Sequence, residues 1–158
     1  MSKTVLPRSI VIDAKRTFII VASQFNAQYV EGLVEHAKQE LRALAPNAAI
    51  SVQRVPGAFE IPVVLRELAS QAKADVLIAC GVILKGKTDH AQNLSRSVTD
   101  ALQHIAIGHG VPVINAVLSF DNETRARERC LGNKINRGTE AARAAVEIAD
   151  VMSKLRGR

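Results

Sequence analysis

The sequence predicts an α/β protein, a three-layer sandwich with a parallel, four-stranded central sheet flanked by helices. The first observation behind this prediction is that short apolar runs alternate along the chain with longer segments whose apolar residues recur at helical spacing. The second is that strands separated by helices pair in parallel through right-handed crossovers, which places helices on both faces of the sheet. The 158 residues contain no internal repeat, linker or change in composition, so we expect one domain over residues 1–158.

The first half of the chain contains two strand patterns and two helix patterns. Residues 18–22 form a short apolar run of strand type, and the apolar residues of 27–44 recur at helical spacing. Residues 50–55 alternate as in a half-buried strand. Residues 60–71 predict a helix, because Pro62 would fall in its first turn, where proline is tolerated.

The second half continues the alternation. Residues 76–84 are a long apolar run, typical of a strand covered on both faces. A helix is predicted over 89–108 and a second buried strand over 111–118. A short helix over 122–130 and a long alanine-rich helix over 139–155 complete the pattern.

The composition excludes several classes of protein. Apolar residues make up 47% and charged residues 23%, which is normal for a folded domain and excludes disordered and low-complexity chains. No apolar run approaches the roughly 20 residues that span a bilayer, and the first 16 residues lack the apolar stretch of a secretory signal. Two cysteines cannot build a disulfide framework, so we expect free thiols and a cytoplasmic protein without a membrane partner.

The net charge of +6 favours an anionic partner. A nucleic acid and a small phosphorylated substrate both explain it, and charge alone does not choose between them. The basic residues are scattered, however, and no zinc-finger, RNA-recognition or basic-zipper pattern is present, so we do not expect nucleic acid as a partner.

Ligands of open parallel sheets bind at the carboxyl ends of the strands, so the residues that follow each strand are candidates for a site. Two of the four phenylalanines, Phe25 and Phe59, fall at such positions. In a protein with only 3% aromatic residues, this placement predicts a stacking surface for a flat ring. The alternative is that each ring fills the core beneath a loop.

Residues 81–88 match the phosphate-loop pattern GxxxxGK[ST], but the match has an alternative explanation. Val82 and Ile83 continue the preceding strand, and β-branched residues are poorly suited to a loop that wraps a phosphate. An ATP-binding loop is therefore the weaker interpretation. Gly86 to Thr88 nevertheless lie between a strand and a helix, where free N–H groups and the helix dipole favour an anion.

Two further residue types support a phosphate site. Arg125 and Arg129 share a helix face at a spacing of four, so either side chain is able to close on a phosphate. His90 follows Thr88 by two residues, where an imidazole is able to move protons near neutral pH. The alternatives are a solvated basic face and an ordinary histidine at a helix start.

Taken together, these segments resemble the lumazine synthase family. The resemblance rests on VPGAFEIP at 55–62, GVILKGKTDH at 81–90, SQFN at 23–26 and VPVINAVLSFDNETRARER at 111–129. It implies condensation of 5-amino-6-(D-ribitylamino)uracil with 3,4-dihydroxy-2-butanone 4-phosphate to 6,7-dimethyl-8-ribityllumazine, in riboflavin biosynthesis. Imine formation, phosphate elimination and ring closure need proton transfers, so no metal and no other cofactor are expected.

The resemblance also implies roles for individual residues. Phe25 would stack on the pyrimidine, His90 would transfer protons, and Lys87, Thr88 and Arg129 would hold the phosphate. Other positions would line the pyrimidine and ribityl site (Ala58, Phe59 and Glu60), contact it through the main chain (Val82, Ile83 and Leu84), orient His90 (Glu140) or reach a neighbouring subunit's site (Asn115). The chain departs from the family pattern at four of its positions, namely Lys87, Ala91, Asn115 and Arg137.

The partners implied by the resemblance are two small-molecule substrates, one of them phosphorylated, and further copies of the chain. Members of the family form pentamers with sites at subunit interfaces, and some close into icosahedral shells. Residues 1–16 would then be an arm that adds a strand to a neighbouring subunit, and riboflavin synthase is a further expected partner. Two alternatives remain open here: a nucleotide kinase or ATPase of the phosphate-loop type, and a shell-forming relative without turnover.

Overall fold

The computed structural model describes residues 3–8 and 10–158. In this structure a four-stranded parallel sheet has the strand order β2-β1-β3-β4. The elements are β1 (Thr17–Ser23), α1 (Ala27–Leu44), β2 (Ala49–Val55), α2 (Ile61–Ser70), β3 (Val76–Leu84), α3 (His90–His109), β4 (Val113–Phe120), α4 (Glu123–Cys130) and α5 (Arg137–Leu155), with a 3₁₀ turn at Ala58–Glu60 before α2.

Each face of the sheet is covered by its own group of helices. Successive side chains of a strand point to opposite faces, so Phe18 and Ile20 of β1 enter one core and Ile19 and Val21 enter the other. The first core is closed by α1, α4 and α5, and the second by α2 and α3. The predicted three-layer sandwich with a parallel, four-stranded central sheet is therefore confirmed.

The strand bounds agree with the sequence-based prediction to within one residue, except for the last strand, which lies two residues later. The last strand was expected over 111–118, but β4 runs from Val113 to Phe120. Gly110 ends α3 with a φ of 64°, and Val111 still donates its N–H to Ala106 of that helix at 3.2 Å. Because these residues complete the helix end, pairing with β3 begins only at Val113.

The start of α5 also differs from its prediction, by two residues. The side-chain oxygen of Asn136 accepts the N–H groups of Gly138 (2.8 Å) and Thr139 (3.1 Å). Asn136 is thus an N-cap that satisfies two free donors of the first turn, and the helix begins at Arg137 rather than Thr139.

The N-terminal arm lies against helices of its own chain. Residues 3–8 and 10–16 contain no strand or helix. The guanidinium groups of Arg8 and Arg143 both donate to the buried carboxylate of Glu40, at 2.6 Å each, and Arg143 also donates to the carbonyl of Leu6 at 2.8 Å. Residues 1, 2 and 9 of the predicted arm lie outside the described residues. Across the part of the chain that the structure describes, no helix has both the length and the apolarity to cross a bilayer.

Candidate active site

A cavity of about 480 Å³ opens at the carboxyl ends of β1 and β3. We call it the aromatic cavity, because Phe25 and Phe59 line it together with His90 at the start of α3. It brings together seven of the sequence-predicted site residues, namely Phe25, Ala58, Phe59, Val82, Ile83, Leu84 and His90.

The two phenylalanine rings are not core residues. Phe25 is 72% exposed and Phe59 is 68% exposed, although most other large apolar side chains of the strands and helices are buried. Both alternatives that placed these rings in the core beneath a loop are therefore wrong. Open aromatic faces on either side of a cavity are suited to stacking against a flat ring.

The aromatic cavity is held in shape by Asn26, which the sequence analysis did not single out. Asn26 has a left-handed backbone (φ 58°, ψ 43°), a conformation that asparagine tolerates better than most residues. Its side chain donates to the carbonyl of Val82 at 2.7 Å, and the N–H of Phe25 donates to the carbonyl of Pro56 at 3.1 Å. These bonds join the loops that follow β1 and β2 to the end of β3.

Glu60 lies beside the aromatic cavity and already has one partner. Its Oε1 accepts the N–H of Gly57 at 2.9 Å, which closes the turn that carries Ala58 and Phe59. The second carboxylate oxygen makes no hydrogen bond to the described residues, so it is available to accept hydroxyl or N–H donors of a ligand.

A second, polar cavity of about 550 Å³ lies between the end of β3 and one side of α3. Gly86, Thr88 and Ser119 line this polar cavity, and Ala91 forms a wall of both the aromatic and the polar cavities. Thr88 Oγ1 accepts the N–H of His90 at 3.4 Å. Lys87 is exposed at the same turn.

The geometry of residues 81–88 contradicts an ATP-binding loop. The last four residues of β3, Gly81 to Leu84, pair with Val117 to Phe120 of β4. Their backbone therefore follows an extended strand and does not curl around an anion. The N–H of Lys85 still donates to the carbonyl of Phe120 at 3.0 Å, so within these described residues only the turn from Gly86 to Asp89 is free to offer N–H groups.

Arg129 lies in a third cavity of about 160 Å³, the arginine cavity, which it lines with Ser119, Asp121 and Arg125. Arg129 is only 7% exposed, yet its guanidinium has no hydrogen bond or ion pair with any described residue, and its Nε is buried without a partner. A buried charge without a counter-ion is unfavourable, so this arrangement is suited to an anionic ligand. Ser119 lines both the polar and the arginine cavities, which places Arg129 and Thr88 in adjoining cavities.

Asn115 and Glu140 lie elsewhere, in a cavity of about 270 Å³ between β4 and α5. Glu140 accepts the N–H of Leu6 at 2.9 Å and pairs with Arg137. Asn115 is exposed, and its Oδ1 accepts the N–H of Val117 at 3.0 Å. Within one chain neither residue lines the cavity that contains His90.

The two cysteines do not belong to the site. Cys80 and Cys130 are free and buried, and burial raises the pKa of each thiol to about 12. At neutral pH both remain protonated and are poor nucleophiles.

The fold and the three adjoining cavities define a class of protein. A parallel sheet covered on both faces carries, at its carboxyl edge, open aromatic rings, an imidazole and a buried unpaired guanidinium. This is an α/β protein whose site is suited to a flat ring beside an oxyanion, with an imidazole in the wall of the cavity that takes the ring.

Comparison with known proteins identifies the family. Residues 15–153 match the family model described as 6,7-dimethyl-8-ribityllumazine synthase. Proteins of that name from Halorhodospira halophila and Leifsonia xyli are 36% and 38% identical to the chain, over 139 and 141 residues. The alignments cover 87% and 88% of this chain, and 89% and 87% of the respective relatives. The chain belongs to the 6,7-dimethyl-8-ribityllumazine synthase family.

Proposed function

We propose that this chain is a transferase of riboflavin biosynthesis that condenses 5-amino-6-(D-ribitylamino)uracil with 3,4-dihydroxy-2-butanone 4-phosphate. The products are 6,7-dimethyl-8-ribityllumazine, phosphate and water. The observation that carries the proposal is the aromatic cavity, in which two exposed phenylalanines lie with His90 next to cavities that contain Thr88 and the unpaired Arg129. Family membership supports the same reaction.

The pyrimidine side of the site is assigned to the aromatic cavity. Phe25 would stack on the ring, and its 72% exposure leaves the aromatic face free to do so. Glu60 would accept hydrogen bonds from the ribityl chain through the oxygen that Gly57 does not use. Ala58, Phe59 and the ends of Val82, Ile83 and Leu84 would complete the walls and offer main-chain contacts.

The phosphate side is assigned to the turn after β3 and to α4. Thr88, at the N-terminal end of α3, would bind phosphate with neighbouring N–H groups, and the exposed Lys87 would add positive charge. Arg129 would supply a charge-assisted hydrogen bond, because its guanidinium has no other counter-ion among the described residues.

His90 is the proposed proton-transfer residue. The amine of the uracil attacks the ketone carbonyl, and loss of water gives an imine. Elimination then breaks the C–O bond to phosphate as a proton leaves carbon, and the resulting enol becomes a ketone. Attack by the second nitrogen on this ketone closes the ring, and a second water leaves. Each step moves a proton, and His90 would transfer it, because His90 lines the aromatic cavity and its backbone N–H donates to Thr88. Holding the two substrates side by side supplies a large further part of the rate.

Assembly of several copies is proposed to complete the site. Asn115 and Glu140 line the β4–α5 cavity, away from the His90 of the same chain, so their family roles require a neighbouring subunit. A pentamer or a larger shell places one edge of each subunit against the next.

Riboflavin synthase is a proposed further partner, and co-elution with the purified assembly tests it.

The experiment that tests the function is formation of the lumazine product from the two substrates by the purified chain, followed by its fluorescence. Wild type is expected to exceed the spontaneous rate, whereas Phe25→Ala should require more of the pyrimidine substrate. Product at the spontaneous rate only would favour a shell-forming relative without turnover.

A calorimetric titration separates this proposal from nucleotide chemistry. Inorganic phosphate is expected to compete with the butanone phosphate, because both use Thr88 and Arg129. ATP with magnesium should bind no better than another polyanion of similar charge. Tight binding of ATP that depends on magnesium would contradict the proposed reaction.

A further inference from the structure

Helix α4 carries Arg129, and its C-terminal end is firmly held. Asn136 donates to the carbonyl of Cys130 at 3.0 Å. Gly32 of α1 lies so close that a Cβ atom at that position would be 2.4 Å from the side chain of Leu131. The last turn of α4 is therefore fixed against both α1 and the segment that starts α5.

The N-terminal end of α4 has a different attachment. Tyr29 of α1 donates from its hydroxyl to Oε1 of Glu123 at 2.8 Å. Within residues 3–8 and 10–158, this is the one side-chain hydrogen bond that ties the first turn of α4 to another helix. The cap provided by Asn122, which accepts the N–H of Arg125 at 2.9 Å, lies within the segment itself and does not fix its direction.

Tyr29 is well placed to transmit a constraint. It is 3% exposed and packs in the same core as Ala126 and Cys130 of α4. It also lies one turn after Asn26, whose side chain shapes the aromatic cavity. Tyr29 therefore connects the first turn of α1, next to the aromatic cavity, to the helix that carries Arg129.

The end of α4 that Tyr29 holds is the end that matters for the arginine cavity. Helical side chains lean toward the N-terminus of their helix, so Arg129 reaches back over the preceding turn. The cavity that it lines is formed with Asp121 and Arg125, at the start of α4. A tilt of this end moves the walls that surround the guanidinium.

We propose that Tyr29 is a positioning residue for the phosphate side of the site, fixing the direction of α4 through Glu123 and thereby the place where Arg129 meets the phosphorylated substrate. The proposal rests on the proposed function in that Arg129 is taken as a phosphate ligand. The hydrogen bond to Glu123 also raises the pKa of the Tyr29 hydroxyl. A phenol is protonated at neutral pH even without this shift, so Tyr29 is the donor of the bond.

The test compares substitutions at the two ends of the bond. Tyr29→Phe keeps the buried ring and removes only the donor. It is expected to raise the Kd of inorganic phosphate and the KM of the butanone phosphate by about threefold to tenfold, the effect of one hydrogen bond. The KM of the pyrimidine substrate should stay within about twofold of wild type. Glu123→Ala should reproduce this pattern, and Glu123→Gln, which keeps an oxygen acceptor, should stay near wild type.

Glu128→Ala is the matched control. Glu128 lies on the same helix and carries the same charge, but its ion pair, to Arg125 at 3.8 Å, stays within α4. This variant separates loss of a negative charge near the phosphate from loss of the tie to Tyr29. The double variant Tyr29→Phe/Glu123→Ala should weaken phosphate binding no further than either single variant, as expected for two ends of one interaction.

The sequence provides a direct optical readout. Tyr29 is the only tyrosine and the chain has no tryptophan, so the tyrosine fluorescence of the protein reports on this side chain alone. A hydrogen bond to a carboxylate quenches the fluorescence of a tyrosine. Fluorescence should therefore rise in Glu123→Ala and remain unchanged in Glu128→Ala.

Two results would overturn the proposal. One is a phosphate Kd equal to that of wild type in both Tyr29→Phe and Glu123→Ala. The other is equal weakening of phosphate and pyrimidine binding together with a lower unfolding temperature, which would make Tyr29 a core residue only. Because phosphate binding is measured without turnover, a wild-type chain that binds phosphate but makes no product contradicts the proposed function alone.

Discussion

Arg129 is the residue whose surroundings say most about the ligand. It is buried and unpaired among the described residues, in a chain where the other well-buried charge, Glu40, has two cationic partners. Arg129→Ala is expected to raise the KM of the butanone phosphate about tenfold to a hundredfold, because a hydrogen bond to a charged group contributes roughly 1.5–3 kcal/mol.

Steady-state kinetics with each substrate in turn measure this effect. Arg127→Ala removes an exposed positive charge from the same helix without touching the arginine cavity and serves as the control. Equal KM values for Arg129→Ala and wild type would show that phosphate is held by other groups.

His90 is expected to matter less than a general acid–base residue usually does. Removal of such a group commonly lowers the rate about 10²–10⁴-fold. His90→Ala should lower kcat only about tenfold to a hundredfold, because adjacency of the substrates supplies much of the rate and phosphate or water is able to carry protons. The comparison is His104→Ala, an exposed histidine in the middle of α3. A loss larger than a thousandfold (roughly the middle of the usual range) would mean that His90 carries more of the chemistry than the geometry suggests.

At the residue scale, the sequence predicts which side chains the fold brings together where their position along a strand decides it. Phe25, Phe59 and His90 follow strand ends, and the parallel topology brings such positions together at one edge. Asn26 was missed because its role depends on a left-handed backbone and on the carbonyl of Val82, 56 residues away. The Tyr29–Glu123 bond spans 94 residues and has no local sequence signal.

At the scale of elements, Glu40 of α1 joins the N-terminal arm to α5, because Arg8 and Arg143 both donate to its carboxylate. Hydrogen bonds from Arg8 and Arg143 hold the pKa of this buried carboxylate below its usual range, against the opposing effect of burial. A depressed pKa stabilises the fold above the pKa of the unfolded chain, and the stabilisation is lost as pH falls through the folded value.

Glu40→Gln should therefore lower the free energy of unfolding at pH 7 by about 2 kcal/mol. The difference from wild type should begin to shrink as the pH falls through the pKa of an unfolded glutamate, about 4.3, and it should be lost as the pH passes the lower pKa of the native carboxylate. Denaturant unfolding at several pH values checks this, with Glu35→Gln, an exposed residue of the same helix, as the control. A difference that did not change with pH would mean that the charge of Glu40 is not the stabilising feature.

The crossing of α1 and α5 depends on a glycine. A Cβ atom on Gly138 would lie 2.2 Å from the carbonyl oxygen of Leu33, so any side chain there forces the helices apart. Gly138→Ala should lower the free energy of unfolding by about 1–3 kcal/mol. Gly108→Ala, inside α3 with no atom within 4 Å of the added Cβ, should raise it by about 0.5–1 kcal/mol. Thermal or denaturant unfolding of both variants measures the contrast, and the same sign for both would contradict it.

At the scale of elements, the periodicity of apolar residues predicted every strand and helix, and the errors lie at their ends. Those ends depend on hydrogen bonds that the pattern does not contain. Apolarity predicts a strand at Val111, but the N–H of Val111 completes α3. The alanine-rich pattern predicts a helix start at Thr139, but the N-cap is Asn136.

At the scale of the whole molecule, the proposed site combines residues from two copies of the chain. Asn115 and Glu140 line one cavity and His90 another, and the proposed oligomer would join the two cavities across a subunit interface. The double variant Phe25→Ala/His90→Ala and the variant Glu140→Ala are each expected to have low activity. Refolded together in equal amounts, they should regain activity, because about a quarter of the interfaces combine two intact faces.

Activity of the mixture is compared with the sum of the two variants refolded separately, after size-exclusion chromatography with light scattering has shown mixed oligomers. A mixture no more active than that sum would place the whole site within one chain. A monomer in solution would contradict the proposed interface.

The central claim is that the aromatic cavity and the phosphate-binding groups act as one site. The most direct measurement follows lumazine fluorescence and free phosphate in the same reaction of the purified wild-type chain. The account predicts that product and phosphate appear in a one-to-one ratio, at a rate above the spontaneous background, and that excess inorganic phosphate slows both equally. Phosphate released without product, or product formed only at the spontaneous rate, would contradict it.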